Sequence, residues 1–454
     1  MGWILRLVET GTDGQPRSAD VMEFSRPDGF DDISNLGLTL PEAKQLLARV
    51  QQGIVAAQAH KHAVLRPECR SCGGRCHVKD WRFHQIATLF GGMTVRLPRF
   101  RCAGCGRIET GVSWPSHCRS TPELVQLQAH LSALMTYRVA AGVLKHLLPV
   151  DCGSSPETLR DHTLKTGEQL HNGAVVTPPA AASAIAVTLD ATFIRSRDDG
   201  QRHLEVRVGN VETDTGGRQV FGAVARSGTD ITALIRRNLE TVGRTDDTAL
   251  TAFTDGCPSL RSSLADAGIT KPPILDWFHI AMRLQHAKQA ASGLSTEVPP
   301  RVQAKTVIVE EVERLRWRIW NGKAKDARLT LDRIRKVMHV FKGEGSRRTM
   351  GPSRKLWRAL HEIDGYLRSQ SSWLVNYAQR YRAGLRVGTA LTEGTANFLV
   401  NRRMNKSQQM RWSRKGADLL LQVRCAIYNG TLGSGFGHLF EPVANPDPQL
   451  VKAA

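Results

Sequence analysis

The spacing of apolar residues changes several times along the chain, and each change predicts a different kind of element. From Thr39, TLPEAKQLLARVQQGIVAAQAH has apolar residues at helical spacing, with Thr39 as its N-cap and Pro41 in its first turn. Residues 66–119 form short, turn-rich segments, and MTVRLPRF is typical of a strand. Beyond Pro122, ELVQLQAHLSALMTYRVAAGVLKHLLP and SSPETLRDHTLKTGEQL predict helices. Their connection at 151–155 suits a helix-turn-helix as well as an ordinary packed pair.

After a proline- and alanine-rich linker, TPPAAASA, the pattern changes to strands alternating with helices. The predicted strands are AIAVTLDATFI, HLEVRVGNVE, QVFGAVA, TALTAFTD and PPILDWF, and the helices between them are TDITALIRRNLETVG and SLRSSLADAG. This βββαβαβα order is typical of an RNase H-like domain, in which a mixed sheet is flanked by helices. Residues 283–388 and a later block at 393–428 are predicted to be helical.

The sequence therefore predicts an α/β multidomain protein with an RNase H-like core and an all-α insertion. A zinc-ribbon-like module and a helical, helix-turn-helix-like region precede the core. The predicted segments are an amphipathic helical region (1–62), the zinc module (63–120), a helical DNA-binding region (121–176), the first part of the core (177–282), the basic helical insertion (283–388), the second part of the core (389–430) and a tail (431–454).

The charge of the chain indicates a polyanionic partner. The 454 residues include 62 Lys and Arg against 42 Asp and Glu, a net charge of +20 with a pI near 10. Residues 314–358 hold 15 basic and three acidic residues, and NRRMNKSQQMRWSRK adds six basic residues without an acid. Such concentration argues against an ordinary neutral metabolic enzyme and favours a polyanionic partner, with nucleic acid as the first candidate. The predicted DNA contacts are Arg314, Arg316, Arg318, Arg402, Arg403, Lys406, Arg411 and Arg414.

Other features narrow the function class. The basic insertion contains four tryptophans interleaved with arginines, namely Trp317, Trp320, Trp357 and Trp373. A tryptophan ring can stack on an unpaired base, but the helical spacing favours core packing for most of the four. No Walker motif, GxGxxG or nucleophile elbow occurs, so no requirement for ATP, NAD or an acyl-enzyme is predicted. No apolar run is long enough to span a bilayer and no signal peptide is recognisable, so a cytoplasmic location is expected.

Two CxxC pairs predict a structural zinc site. Cys69 and Cys72, in CRSC, and Cys102 and Cys105, in CAGC, are separated by 29 residues. Thiolates at this spacing can surround Zn²⁺ tetrahedrally at Zn–S distances of about 2.3 Å. Four thiolates leave no open position, which makes the zinc structural. The less regularly spaced Cys76, His77, His117 and Cys118 are alternative ligands.

Three acidic residues are candidates for a catalytic metal site. Asp190 interrupts the apolar strand AIAVTLDATFI, Asp255 ends TALTAFTD, and Glu393 begins the last helical block. A carboxylate within an apolar strand is costly to bury unless it is paired or binds a metal. Two Mg²⁺ ions about 3.5–4 Å apart could catalyse displacement at a phosphodiester. Alternatively, Asp255 forms a turn with Gly256, and Glu393 supports the start of a helix.

The runs LDATF, FTDGCPSL, ILDWFHIAMRL and TEGTANFLVNRRMNKSQQMRWSRKGADLLLQVR together resemble bacterial insertion-sequence DDE transposases of the Mutator-like kind, closest to the Kra-type insertion-sequence group. The resemblance extends from about Asp31 to Asn429. It implies that Asp190, Asp255 and Glu393 are the catalytic acids, with Asp276 and His279 of DWFH as an accessory pair. One departure is that the family usually has Ser-Gly shortly before the glutamate and Ser just after it, whereas GTALTEG stands here.

By this resemblance, the partner would be double-stranded DNA. The chain would bind the terminal inverted repeats of its own mobile element and catalyse DNA cleavage and strand transfer to target DNA. Two Mg²⁺ ions, replaceable by Mn²⁺, would assist, and handling two DNA ends implies a homodimer or higher assembly in the bacterial nucleoid. Two alternatives stay open. One is a non-catalytic DNA-binding zinc protein derived from a transposase, and the other is an RNase H-like structure-selective nuclease.

Overall fold

The computed structural model describes residues 1–10, 17–29, 33, 36–110, 112, 119–171, 180–198, 200–341, 351–388, 394–405 and 410–432. The chain divides into two compact units, one of Met1–Asn172 with Ala426–Ala454 and the other of Gly173–Cys425. Helices and sheets occur in both, so the predicted mixed α/β architecture is confirmed at this level. In the described part of the chain, no helix combines the length and apolar character needed to cross a membrane.

The first unit begins with an antiparallel hairpin of β1 (Gly2–Glu9) and β2 (Arg17–Ser25), followed by α1 (Leu40–Val64). The helix starts where its sequence predicts, because Thr39 and Glu42 form a reciprocal capping box. The hairpin is a feature that the helical prediction for residues 1–62 missed. Its inward residues, such as Leu5 and Leu7, alternate with exposed ones, which is the two-residue period of a strand.

A three-stranded antiparallel sheet carries the cysteine region and consists of β3 (Cys76–Thr88), β4 (Gly91–Cys102) and β5 (Ile108–Glu109). Three helices follow, namely α2 (Pro122–Leu134), α3 (Tyr137–Leu147) and α4 (Pro156–His171). The stretch that we predicted as one helix is broken at Met135, because Thr136 is extended and caps α3 by accepting a hydrogen bond from the Val139 N–H at 3.3 Å.

The second unit is organised around a five-stranded sheet in the order β10-β9-β6-β7-β8. Its strands are β6 (Ala184–Arg195), β7 (His203–Thr213), β8 (Arg218–Val224), β9 (Ala249–Thr254) and β10 (Ile274–Leu275). The first three form an antiparallel meander, and β9 and β10 continue the sheet in parallel beyond β6. The five predicted strands thus form in the predicted order, although PPILDWF contributes only two strand residues before a helix begins.

Helices cover both faces of this sheet, and each face has its own hydrophobic core. On one side α5 (Ile231–Thr241) and α6 (Pro258–Asp266) pack residues such as Ile235 and Leu260 against β6 and β9. On the other side, Phe253 and Leu275 join the core of the helical insertion. The insertion comprises α7 (Trp277–Ser292), α8 (Pro299–Trp320), α9 (Ala324–Val337), a 3₁₀ turn (Met338–Phe341), α10 (Pro352–Gln370), a second 3₁₀ turn (Ser371–Trp373) and α11 (Tyr377–Arg382).

Two further helical elements follow the insertion, a π-helical segment (Asn397–Asn405) and α12 (Arg414–Tyr428), of which the residues up to Cys425 belong to the second unit. The buried Arg424 ties these two elements together by donating hydrogen bonds to the Leu399 and Phe398 carbonyls. Burial lowers the pKa of Arg424 to about 10. The Gln422 amide donates to the Gly222 carbonyl of β8 at 2.9 Å, which places α12 against the meander.

Candidate active site and zinc site

Asp190 and Asp255 occupy adjacent positions where the parallel strands β6 and β9 lie side by side. In the register of this pair, Leu189 is opposite Thr254, and each aspartate is the next residue along its own strand direction. Neighbouring strands are about 4.8 Å apart, so this register places the two residues next to each other. The sheet thus brings together two of the three acids that the sequence singles out.

The predicted accessory pair lies at the same edge of the sheet. Asp276 follows β10, and its backbone N–H donates to the Thr254 carbonyl at 2.9 Å. Its fully buried carboxylate caps α7 by accepting from the Phe278 N–H at 2.9 Å, and its second oxygen lies 3.7 Å from Nε2 of His279. The aspartate is therefore fixed by the start of the helix, and the histidine projects from the first turn of α7.

The pKa of Asp190 depends on the charges of Asp255, Asp276 and His279. Burial raises the pKa of the Asp190 carboxyl above its ordinary value, and the charges of Asp255 and Asp276 raise it further. His279 and the N–H of Ala191, which donates to the Asp190 carboxylate at 2.8 Å, act in the opposite direction. Without a cation, the carboxylate form of Asp190 is therefore disfavoured by both burial and like charge.

Glu393 lies outside the described residues. Shortly before it in sequence, Gly388 lies against the site: a Cβ added at this glycine would be 2.6 Å from Oδ1 of Asp276. The Trp277 N–H also donates to the Val387 carbonyl at 3.3 Å. Within the part of the chain that is described, the four cysteines are the only group of three or more potential metal ligands with atoms all within 4.8 Å of one another. Asp190, Asp255 and Asp276 thus lie where the parallel pairing of β6, β9 and β10 ends, but they do not form a group of this kind.

The loop that carries Asp255 is held by the helical insertion, which the sequence analysis did not anticipate. The hydroxyl of Tyr366 donates to the Asp255 carbonyl at 2.9 Å. Gln370 donates to the Gly256 carbonyl at 3.2 Å, and Arg261 donates to the same carbonyl and to the Gln370 side chain. The contacts made by Tyr366 and Gln370 join residues more than 100 positions apart, so no local sequence signal could have revealed them.

A second tyrosine supports the adjacent strand. Tyr377 is buried in the insertion, and its hydroxyl donates to the Leu275 carbonyl at 2.7 Å, immediately before Asp276. Burial raises the pKa of both Tyr366 and Tyr377 above the ordinary value, which keeps each phenol protonated as a hydrogen-bond donor. The insertion therefore anchors the backbone at the ends of both β9 and β10.

The four predicted zinc ligands form a compact cluster in the first unit. The sulfur atoms of Cys69 and Cys105 are 3.5 Å apart, as are those of Cys72 and Cys102, and all four lie within 4.8 Å of one another. Tetrahedral ligation at Zn–S distances of about 2.3 Å requires sulfur separations of about 3.8 Å. The cluster is therefore compatible with a structural zinc site, as the cysteine spacing predicts.

Two similar turns present these thiols. In the first, Gly73 donates to the Cys69 carbonyl at 2.8 Å, and in the second, Gly106 donates to the Cys102 carbonyl at 3.1 Å. Both glycines have positive φ, +70° and +73°, which few other residues adopt easily. Backbone N–H groups of Cys105 and Gly104 lower the pKa of the Cys102 thiol, whereas hydrogen bonds to the neighbouring cysteines raise the pKa of Cys72.

The alternative zinc ligands have different positions. Cys76 is buried beside the cluster in the small core around Phe100, but it is not a member of the four-cysteine group. His77 is exposed on β3. His117 and Cys118 lie outside the described residues. The regular CxxC pairs therefore provide the ligand set that the geometry supports.

The first three predicted DNA-contacting arginines lie on α8. Arg314 pairs with Glu311, and Arg316 lies 3.9 Å from Glu313. Arg318 instead donates to the Asp326 carbonyl at 2.9 Å, which connects α8 to the start of α9. A groove of about 780 Å³ runs beside these side chains and is lined by Trp277, Glu313, Arg314, Arg316, Trp317, Arg318 and Trp320.

The later predicted contacts differ in exposure. Arg402 and Arg411 are exposed, and Lys406 lies outside the described residues. Arg403 is fully buried, with Nη1 donating to Met410 Sδ at 3.2 Å and its guanidinium 5.3 Å from the Trp412 ring centroid. Its burial contradicts the prediction that it contacts DNA, because a fully buried guanidinium does not reach a phosphate.

Arg414 and the tryptophans also have mixed roles. The backbone N–H of Arg414 donates to Asp198 at 3.1 Å, and its side chain donates to the Ala225 carbonyl and to Gln201, so it braces the meander. Of the four tryptophans that the sequence analysis names, Trp320 and Trp373 pack against the core, whereas Trp317 and Trp357 are 55% and 49% exposed. The expectation of core packing therefore holds for two of the four.

No family model and no curated protein matches this chain. The functional argument therefore depends on the two sites themselves and on the charge around them.

Proposed function

We propose that the chain is a DDE transposase of the insertion-sequence kind, acting on the ends of its own mobile element. The observation that carries the proposal is the adjacent placement of Asp190 and Asp255 on parallel strands, beside the buried Asp276 and His279. Carboxylates that lie side by side and are partly or fully buried are costly, and such groups occur most often at functional sites.

The proposal assigns an RNase H-like core to the second unit. Its support is the sheet itself: an antiparallel three-strand meander is followed by two parallel strands added beside its first strand. In this arrangement the first strand is central, and Asp190 lies near its middle. The all-α insertion between β10 and the Glu393 region is the second element of the proposed architecture.

The donor set at the sheet edge fits a hard divalent cation. Mg²⁺ prefers carboxylate oxygens, and a positive ion would offset the burial and repulsion that disfavour the ionised form of Asp190. We assign Asp190 and Asp255 as residues that would hold Mg²⁺, or Mn²⁺ in its place, with Glu393 as the third proposed ligand. When bound, such ions supply charge stabilisation to a phosphodiester undergoing displacement.

In the proposed reaction, water attacks the phosphodiester at each element end and breaks its P–O3′ bond, leaving a 3′-hydroxyl and a 5′-phosphate. The freed hydroxyl then attacks a target phosphodiester, forms a new P–O3′ bond and releases a target 3′-hydroxyl. His279 would donate a hydrogen bond to a phosphate oxygen, and Asp276 would hold the imidazole in place. The nucleophiles are water and a hydroxyl, so no covalent protein–DNA intermediate arises.

The remaining parts of the proposal concern DNA binding. The zinc module and the α2–α4 helices would recognise the terminal inverted repeats, and exposed arginines such as Arg402 and Arg411 would neutralise phosphates. Because two DNA ends must be cut and joined together, the active form would be a homodimer or a higher assembly.

The proposal is tested by incubating the full chain with labelled DNA that carries both ends of its element, in Mg²⁺ or Mn²⁺. Nicking at the ends and joining to a target plasmid are measured for the wild type, Asp190→Asn, Asp255→Asn and Glu393→Gln. The matched control is Asp246→Asn, because Asp246 is exposed in the loop at the opposite end of β9. We expect the three site variants to lose at least 100-fold in nicking rate and the control to keep the wild-type rate.

The same assay separates the alternatives. Specific binding of the ends by wild-type protein without metal-dependent nicking would replace the proposal with a non-catalytic DNA-binding zinc protein. Cutting of branched DNA that lacks the ends, without joining, would identify a structure-selective nuclease. Nicking by Asp190→Asn at the wild-type rate would refute the assignment of the acids.

A further inference from the structure

An exposed aromatic surface lies on the outer face of the β3–β4 ribbon. Trp81 and Phe83 are two residues apart on β3 and therefore project from the same face. They are 40% and 72% exposed. Arg96 lies directly opposite Phe83 on β4, and its guanidinium carbon is 5.1 Å from the Trp81 ring centroid and 5.9 Å from that of Phe83. We call Trp81, Phe83 and Arg96 the ribbon triad.

The ribbon triad is not needed to complete the core of its own module. The inward-facing residues of β4, namely Met93, Val95 and Leu97, are at most 9% exposed. The aromatic rings lie on the other face, and a phenylalanine that is 72% exposed contributes little to burial. Two large aromatic side chains held side by side in solvent, with a guanidinium between them, instead indicate a contact surface.

The positive charge of the module that carries the ribbon triad indicates what kind of partner the triad binds. Residues 66–109 contain nine basic and three acidic residues, a net charge of +6. The exposed basic residues on the same two strands include Lys79, Arg82 and Arg101, of which Arg82 projects from the face opposite to the ribbon triad. An apolar protein surface or a neutral ligand would gain little from this charge, whereas a nucleic acid offers both phosphates and ring faces.

We infer that the ribbon triad binds single-stranded DNA, with unpaired bases stacking on Trp81 and Phe83 and a phosphate pairing with Arg96. A duplex exposes base edges but hides the ring faces, so stacking requires unpaired bases. Residues two apart on one face of a strand are separated by about 7 Å, close to twice the 3.4 Å rise of stacked nucleotides. The inference concerns a surface in the first unit and does not depend on the proposed cleavage chemistry.

The test measures binding of the zinc-loaded full chain to a labelled 12-nucleotide oligo-dT and to a blunt duplex of the same length, by fluorescence anisotropy at several salt concentrations. The variants are Phe83→Ala, Trp81→Ala and Arg96→Gln. The matched control is Trp3→Ala, because Trp3 is also 40% exposed and stacks on Phe24 in a different sheet. Zinc content of each variant, measured by metal analysis, reports whether the module stays folded.

We expect Phe83→Ala and Trp81→Ala each to weaken oligo-dT binding by about 5- to 150-fold, the range for loss of one stacked base, with a much smaller effect on the duplex. Arg96→Gln should lower the slope of log affinity against log salt by about 0.7, the contribution of one phosphate contact on a single strand. Trp3→Ala should bind like the wild type.

Wild-type affinity of Phe83→Ala for oligo-dT, with zinc retained, would overturn the inference. Equal losses on oligo-dT and on the duplex would also overturn it, because they would indicate a general electrostatic surface. If Trp81→Ala loses zinc, Phe83→Ala decides the result, since its ring is the more exposed. Oligo-dT binding is measured without Mg²⁺ and without element ends, so failure of the proposed nuclease chemistry and failure of this inference give different results.

Discussion

Replacing Gly256 with alanine should destabilise the second unit and disturb Asp255, for two reasons that are both visible in the structure. Gly256 has φ +95°, a conformation that residues with a side chain rarely adopt. A Cβ at this position would also lie 3.0 Å from Cδ and Oε1 of Gln370 and from Cδ1 of Leu275. Real Cβ contacts are seldom this short, so the side chains of Gln370 and Leu275 would have to shift by a few tenths of an ångström.

The magnitude follows from adding the two effects. Forcing a left-handed conformation costs about 1–2 kcal/mol, and overpacking a fitted site costs about 1–3 kcal/mol. The total loss in unfolding free energy is therefore about 2–5 kcal/mol. For a unit of this size, each kcal/mol lowers the melting temperature by about 2–4 °C, so we expect a fall of about 4–20 °C.

The assay is thermal unfolding followed by tryptophan fluorescence, with Gly365→Ala as the matched control. Gly365 is in the interior of α10, next to Tyr366, and a Cβ added there would meet no atom within 4 Å. Alanine is favoured over glycine in a helix by about 1 kcal/mol, so this variant should melt a few degrees higher than the wild type. Equal melting temperatures for Gly256→Ala and the wild type, or an equal loss in both variants, would refute the reasoning.

Three further predictions use the same reasoning about local contacts. Cys105→Ser should release zinc and unfold the β3–β5 sheet, as measured by metal analysis and circular dichroism. Cys152→Ser should retain both zinc and the sheet, because the exposed Cys152 lies outside the cluster. Tyr366→Phe should lower the unfolding free energy of the second unit by about 1 kcal/mol in urea titrations, and a wild-type midpoint would show that its hydrogen bond contributes nothing. The pKa of Asp190 is higher in the folded state than in the unfolded state, so the Asp190 carboxyl stabilises the metal-free fold below the unfolded pKa. This stabilisation is lost as the pH rises through the folded pKa. Asp190→Asn should flatten this part of the curve of stability against pH, and an unchanged curve would contradict burial as the cause of the shift.

The elements that the sequence predicted correctly are those specified by local patterns. Helix α1 begins at Thr39 because the capping box is encoded within four residues. Strands β6, β7 and β9 are marked by apolar, β-branched runs that suit a buried sheet. The CxxC pairs likewise contain their own turn geometry, including Gly73 and Gly106 at positive φ. In each case the physical determinant is close in sequence to the element that it specifies.

The features that the sequence did not reveal depend on distant contacts. The support of Asp255 by Tyr366 joins residues 111 positions apart, and no periodicity in α10 distinguishes this tyrosine from a core residue. The burial of Arg403 was missed for the same reason: a basic run is normally solvated, but here one guanidinium packs against Trp412. The break between α2 and α3 was also missed, because the apolar period continues through Met135.

The contacts at the sheet edge make the insertion a structural part of the candidate site. Phe253 and Leu275, which directly precede the acid-bearing ends of β9 and β10, are buried in one core with Leu356 and Leu360 of α10. The same helix reaches the Asp255 carbonyl through the hydroxyl of Tyr366. Because apolar packing and hydrogen bonding act on the same two strand ends, α10 cannot move without shifting these strand ends. The positions of the Asp255 and Asp276 carboxylates therefore depend on the packing of α10 as well as on the sheet itself.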